Sequence, residues 1–317
     1  MSLQDNVRPY PAALPIIGLL LCLSLFAFNT QAFAAEESLP DRIVAQRGGF
    51  IPEGIDYDNR NGRLLSGSLS EGTIFQISGT GRLTPLVEDP LMSSSVGIEI
   101  DEPRNRVLAA IADLSTPSGA AGLGVFALDS GQRLAQVDLV ASIEDRPADA
   151  SHFANDVAVS RYGVAFVTDT RMNIIYEVDI YYNATVLLNL GSDSGFDFNG
   201  IEYHPAGYLL VASPGTGQIL RVPVNSPDNW ELVELNFPAT GADGLVWAND
   251  GTLVATSNNT SSVLKYRSED NWRTARLVGM ASFEGQGTTA AVVGDDVYVV
   301  QPQFSNQQRP VILRARF

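Results

Sequence analysis

Around residue 200 the chain alternates short apolar runs with breaks rich in Pro and Gly. Ile201-Glu202-Tyr203, Tyr208-Leu209-Leu210-Val211-Ala212 and Ile219-Leu220-Arg221-Val222 are separated by His204-Pro205-Ala206-Gly207 and Pro214-Gly215-Thr216-Gly217. Aliphatic and β-branched runs of about 4–8 residues bounded by such turns predict short strands with tight connections and no room for a helix. The stretch opens on a phrase that recurs: a polar residue, Gly, then a short apolar run. Asp243-Gly244-Leu245-Val246-Trp247 repeats it 44 residues downstream, and Asn155-Asp156-Val157-Ala158-Val159, with Asp in place of Gly, repeats it 44 upstream. Glu53-Gly54-Ile55-Asp56-Tyr57 and Val96-Gly97-Ile98-Glu99-Ile100 fit it 43 residues apart, and Thr288-Thr289-Ala290-Ala291-Val292 is a degenerate sixth copy. A period of about 40–50 residues is that of propeller blades. Six copies predict an all-β fold, a six-bladed β-propeller with four-stranded antiparallel blades.

A ring of blades has edges to close. Residues 41–46 form a lone strand ahead of the first repeat, and the last repeat ends after three strands at residues 311–317. The N-terminal strand is therefore expected to complete the last blade, which hides both unpaired edges at once. Repeats two and three open 59 residues apart, and the extra length lies in an extension at 114–122 and an insertion at 141–154. The insertion enters the face where the inner strands begin; it either covers a site there or stands as a tolerated surface loop. Blades three, four and five are expected to end in outer strands at residues 184–190, 230–235 and 273–278.

The first residues are a separate object. Residues 14–28 carry no charge and are followed by Ala32-Phe33-Ala34. The apolar run is short of the about 20 residues of a membrane span, and with its A-x-A site it fits a secretory signal peptide cut after Ala34. An uncleaved anchor is the alternative. The expected organisation is a signal peptide at residues 1–34 and a single propeller domain at 35–317, secreted or periplasmic, with no membrane contact after cleavage. Cys22 is the only cysteine, so the propeller has neither a disulfide framework nor thiolate chemistry. With 20 Lys+Arg against 36 Asp+Glu, the formal charge of −16 disfavours nucleic acid and anionic lipid and suits cations and neutral small molecules. A monomer acting on a small-molecule substrate is expected.

Propeller geometry places the residue that opens each inner strand around one mouth of the axial channel. These residues are Glu53, Val96, Asn155, Asn199, Asp243 and the region of Thr288. Two carboxylates and two amide carbonyls are hard oxygen donors without a thiol or imidazole, which favours Ca²⁺ or Mg²⁺ over Zn²⁺ or copper. Turn chemistry explains any one of the four; it does not require them at one phase. His152 lies three residues before Asn155 and is a candidate substrate contact, whereas His204 sits in a turn at the far end of an inner strand and is read as structural. Asp169, Ser213 and Asn258 follow the second strands of their blades, as supports for the mouth or as turn caps.

In their order and phase, Pro52-Glu53-Gly54, Asn155-Asp156-Val157, Asn199-Gly200-Ile201 and Asp243-Gly244-Leu245 resemble the senescence marker protein/gluconolactonase/luciferin-regenerating enzyme family. That family includes regucalcin and the diisopropylfluorophosphatases, and the resemblance spans the whole mature chain. It implies a catalytic divalent cation held by Glu53, Asn155, Asn199 and Asp243, Ca²⁺ ahead of Mg²⁺, Mn²⁺ or Zn²⁺. It also implies hydrolysis of lactones or organophosphate esters, with Asp243 as general base or nucleophile. The chain departs from the phosphotriesterase members in the last blade, where Val300-Gln301-Pro302-Gln303 stands in place of a histidine. A non-catalytic propeller that binds a ligand or partner is the other reading, since the fold hosts both.

Overall fold

The computed structural model describes residues 39–113, 115, 119–145, 149–304 and 308–317. The expected signal peptide lies outside the described residues, as do parts of the two insertions. The apolar runs become strands of four to seven residues in most places, and they assemble as six antiparallel sheets in chain order. The innermost strands are Ile55–Asp58, Ile98–Asp101, Ala154–Val159, Ile201–His204, Ala242–Trp247 and Ala290–Val293. This is the six-bladed propeller that the spacing predicts.

The second strand of each blade explains the continuous apolar runs in the sequence. Arg106–Ala112, Tyr208–Ser213 and Leu253–Ser257 are buried along their whole length, because neighbouring blades cover both faces of each sheet. The described core divides into six apolar clusters, one between each pair of adjacent blades. Blade packing is thus a cyclic series of sheet-on-sheet contacts rather than one central core.

The ring closes as expected. Arg42–Val44 pairs antiparallel with Val311–Arg314, with Ile43 opposite Ile312, and Ile43 is buried in the cluster shared by blades six and one. A polar latch reinforces the seam: Asp41 accepts from Arg316 at 2.6 Å and pairs with Arg314 at 2.9 Å. Tyr298 Oη donates to the Leu39 carbonyl at 2.8 Å.

Blade four departs from expectation at its rim. The single outer strand expected at 230–235 is split into Glu231–Leu232 and Glu234–Leu235. The first pairs within blade four, while the second pairs parallel with Thr274–Ser282 of blade five. Val233 between them is buried in the cluster shared by blades four and five, and Glu234 N–H donates to the Arg273 carbonyl at 2.9 Å. The buried valine turns the chain across the interface, so the unpaired edge of blade five is partly capped by its neighbour.

Candidate active site at the channel mouth

The inner strands approach the axis so closely that backbone groups bond from blade to blade. Gly54 N–H donates to the Val96 carbonyl, Gly97 N–H to Asn155, Gly200 N–H to Asp243 and Gly244 N–H to Thr288, at 2.7–3.0 Å. Side chains make the two remaining links. Thr168 Oγ1 accepts from Asp156 N–H and donates to the Asn199 carbonyl, and Thr288 Oγ1 donates to the Glu53 carbonyl. The belt explains the glycine of the repeated phrase: a Cβ at Gly54 would stand 2.5 Å from the Val96 oxygen. Blade three carries Asp156 at this position, where its strand bulges between Ala154 and Val157. In return, Gly97 must lack a Cβ, which would meet Asp156 Oδ1 at 2.2 Å.

This belt fixes the opening residues. Asp243 accepts from Asn258 Nδ2 at 3.2 Å and also from the Asn199 side chain. Burial outweighs these two donors and raises the Asp243 carboxyl to about 7. Glu53 is only 7 % exposed, and its Oε2 is buried with no hydrogen-bond partner. Burial first, then repulsion from Asp243 and Asp156, raises its carboxyl well above the ordinary range. Glu53, Asn199 and Asp243 are thereby brought together. Asn155 is buried on the same belt, but its Nδ2 donates to Thr170 Oγ1 at 2.8 Å, which leaves its amide oxygen uncommitted to that bond.

Buried Glu53, with an orphaned oxygen, and partly buried Asp243 repel one another, and neither is in an ion pair among the described residues. The donor set of two carboxylates and two amides fits a hard divalent cation. A cluster of three or more His, Cys, Asp or Glu in metal-binding arrangement does not occur among the described residues, so a cation here depends on the two asparagine amides.

The other candidates fall away from this point. His152 Nδ1 lies 2.7 Å from Asp169 Oδ2, and the ring is buried. Asp169 also caps its turn, accepting from Phe153, Arg171 and Met172 N–H groups. Ser213 donates to Asp197 at 2.6 Å, whereas Asn258 supports the mouth directly. His204 stacks on Tyr208 with ring centroids 4.4 Å apart and meets Trp247 edge-on, in keeping with a structural role. In the last blade, Gln301 is buried and its Nε2 donates to the Glu284 carbonyl at 2.5 Å.

Further down the channel lies a group that sequence reasoning missed. Asp56, Glu99, Asp156 and Glu202 line its interior. Asp56 bridges blades one and two by accepting from Tyr57 and Ile100 N–H groups, and Asp156 bridges blades three and four through Val157 and Ile201. Burial lifts both to about 7 and lifts Glu99 and Glu202 well above the carboxylate range, with mutual repulsion adding to it. The available signal was phase: Asp56, Glu99 and Glu202 each stand three residues after the residue that opens the strand.

No family model matches the chain, and no curated protein matches its sequence. Solved structures do match in fold. The allergen Mala s 1 of Malassezia sympodialis is similar at TM-score 0.73 and 18% identity, over 88% of this chain and 97% of that one. A gluconolactonase from Xanthomonas campestris is similar at TM-score 0.60 and 15% identity, over 85% and 88%. Virginiamycin B lyase from Staphylococcus aureus is similar at TM-score 0.57 and 10% identity, over 87% and 98%. At such identities the likeness establishes the propeller and leaves the chemistry to the site, the more so because a lactonase and a lyase share the architecture.

Proposed function

We propose that the chain is a divalent-cation-dependent hydrolase of the gluconolactonase type, acting on a lactone or related ester at the channel mouth. The observation that carries the reading is Glu53 Oε2, buried without a partner beside Asp243. A buried acceptor that faces a second carboxylate is costly unless a cation joins them. Glu53, Asn155, Asn199 and Asp243 would hold that cation, Ca²⁺ ahead of Mg²⁺, Mn²⁺ or Zn²⁺. When bound, it supplies Lewis acidity toward the carbonyl oxygen of the substrate.

The protein's own residues account for the rest. Asn258 and Asn199 donate to Asp243 and fix its orientation, so that one carboxylate oxygen accepts the proton of an attacking water or itself attacks the carbonyl carbon. Neither Gln303, which stands at the last-blade position of that histidine, nor Gln301, tied to the Glu284 carbonyl, offers a base there, which favours a lactone over a phosphotriester that needs the histidine. Export with cleavage after Ala34 completes the proposal and places the enzyme where a free divalent cation is abundant.

Calorimetric titration with Ca²⁺, Mg²⁺, Mn²⁺ and Zn²⁺ beside a lactone hydrolysis assay tests the reading. One tight site per chain is expected, with Glu53→Gln weakening it by about tenfold or more, equal to about 1.4 kcal/mol. A parent protein that binds no divalent cation overturns the proposal and leaves the non-catalytic propeller.

A further inference from the structure

We propose that a second pocket, beside the mouth rather than on the axis, binds a small organic ammonium compound, with His152 as the acceptor in its wall. The pocket lies where the 141–154 insertion meets blade three, between the start of its inner strand and the end of its outer strand Ala184–Asn189. Its volume is about 340 Å³, in the range of small-molecule sites. Ile143, Met172 and Leu190 supply an apolar wall, Asp145 and Asp193 supply exposed carboxylates, and no Lys or Arg is among the described lining residues.

His152 lines the same pocket with a ring that is 2 % exposed. Asp169 Oδ2 accepts at 2.7 Å from Nδ1 and at 3.2 Å from Tyr176 Oη, and Oδ1 takes three backbone N–H groups. Both Asp169 oxygens are thus taken by donors, and the carboxylate holds the Nδ1 side of the ring, which leaves Nε2 as the ring atom free to meet a ligand. That Nε2 is buried with no partner. Arg171, next to Met172 in the chain, is spent on Ser151 Oγ and the His152 carbonyl and stacks over Phe153.

The pocket therefore presents acceptors and negative charge beside an apolar wall. A ligand that fits brings N–H or O–H donors, a positive charge and an apolar body; an organic anion of the same shape is repelled. Nε2 is itself covered, so the donor reaches it as the wall around the ring gives way. None of these groups belongs to the proposed metal set, so the inference stands apart from the hydrolase reading.

Tyramine is a suitable probe, and 4-hydroxyphenylacetate is its anionic counterpart. Long-range ¹H–¹⁵N spectra of the histidine rings report the His152 tautomer and its response to titration. The expected result is an Nδ1–H tautomer and a saturable His152 Nε2 shift with tyramine but not with 4-hydroxyphenylacetate. Asp145→Asn with Asp193→Asn, both exposed and safe for folding, is expected to weaken tyramine about tenfold, and Leu190→Trp to abolish the shift by filling the pocket. Asp243→Asn is expected to leave tyramine binding unchanged, which separates this outcome from the fate of the hydrolase proposal. The inference is overturned by a doubly protonated His152 ring, by equal binding of the anion, by parental affinity in the double variant, or by no saturable shift.

Discussion

Asp243 sits where charge, orientation and chemistry meet: it shares the mouth with Glu53 and takes hydrogen bonds from Asn199 and Asn258. Asp243→Asn keeps an oxygen donor of the same size while removing one of two balancing charges and the candidate base. Under the hydrolase proposal, lactone turnover in this variant is expected to fall at least a hundredfold even at saturating cation, within the range of general acid–base contributions of about 10²–10⁴. Asn155→Asp adds a charge and leaves the base in place, so it is expected to keep the cation and lose part of the rate. Parental turnover by Asp243→Asn would end the catalytic assignment. That Glu53, Asn199 and Asp243 meet was legible because they share one phase of a repeat. The channel acids share a phase too, but the side of an inner strand that faces the axis is set by how blades pack, which spacing does not encode. The His152–Asp169 pair joins loop positions 17 residues apart, and no periodicity marks such a contact.

At the scale of elements, the closing strand Arg42–Val44 has the clearest consequence. Ile43 is 1 % exposed, and truncating a buried Ile to Ala costs about 2–5 kcal/mol. For a domain this large each kcal/mol is worth about 2–4 °C in Tm. Ile43→Ala is therefore expected to lower Tm by about 4–20 °C, and deletion through Gln46 to expose the edge of the last blade and cause aggregation on heating. Calorimetry of the two variants decides it; a truncated protein that melts like its parent would show that the seam is not what closes the ring. A second expectation concerns the belt around the axis. Gly97→Ala puts a methyl group 2.2 Å from Asp156 Oδ1 and 2.7 Å from the Asp156 Cα, so a loss of stability is expected that Asp156→Gly in the same chain does not restore, as measured by a double-mutant cycle in urea. Closure was readable in the sequence because an orphan strand and a three-strand repeat complement each other. The split rim of blade four was not, since Trp230 to Leu235 reads as one β-prone run and only the burial of Val233 against blade five breaks it.

Over the whole molecule, the acid-lined channel ties stability to pH. Asp56 and Asp156 are raised by burial from 3.8 to about 7, and Glu99 and Glu202 are raised well above 4.5. A carboxyl whose pKa is higher folded than unfolded holds its proton more tightly in the folded state. Its contribution is then fully present below the unfolded value and is lost as pH rises through the folded one. Tm is expected to be highest in mildly acidic buffer and to fall as pH rises from about 4 to about 8, opposite in direction to a protein held together by salt-bridged aspartates. Glu99 is the place to test this, because its shift arises from burial first and then from Asp56, Glu202, Asp156 and Asp101, with no hydrogen bond to lose on substitution. Glu99→Gln removes one charge from the column, so its Tm is expected to match the parent at about pH 4.5 and to exceed it by about 2–4 °C at about pH 8, the equivalent of about 1 kcal/mol. Thermal scans of both proteins across that range supply the check. A parent profile that is flat or rises with pH, or a Glu99→Gln variant that melts no higher than the parent at the alkaline end, would show that the channel carboxylates do not repel one another as their burial requires.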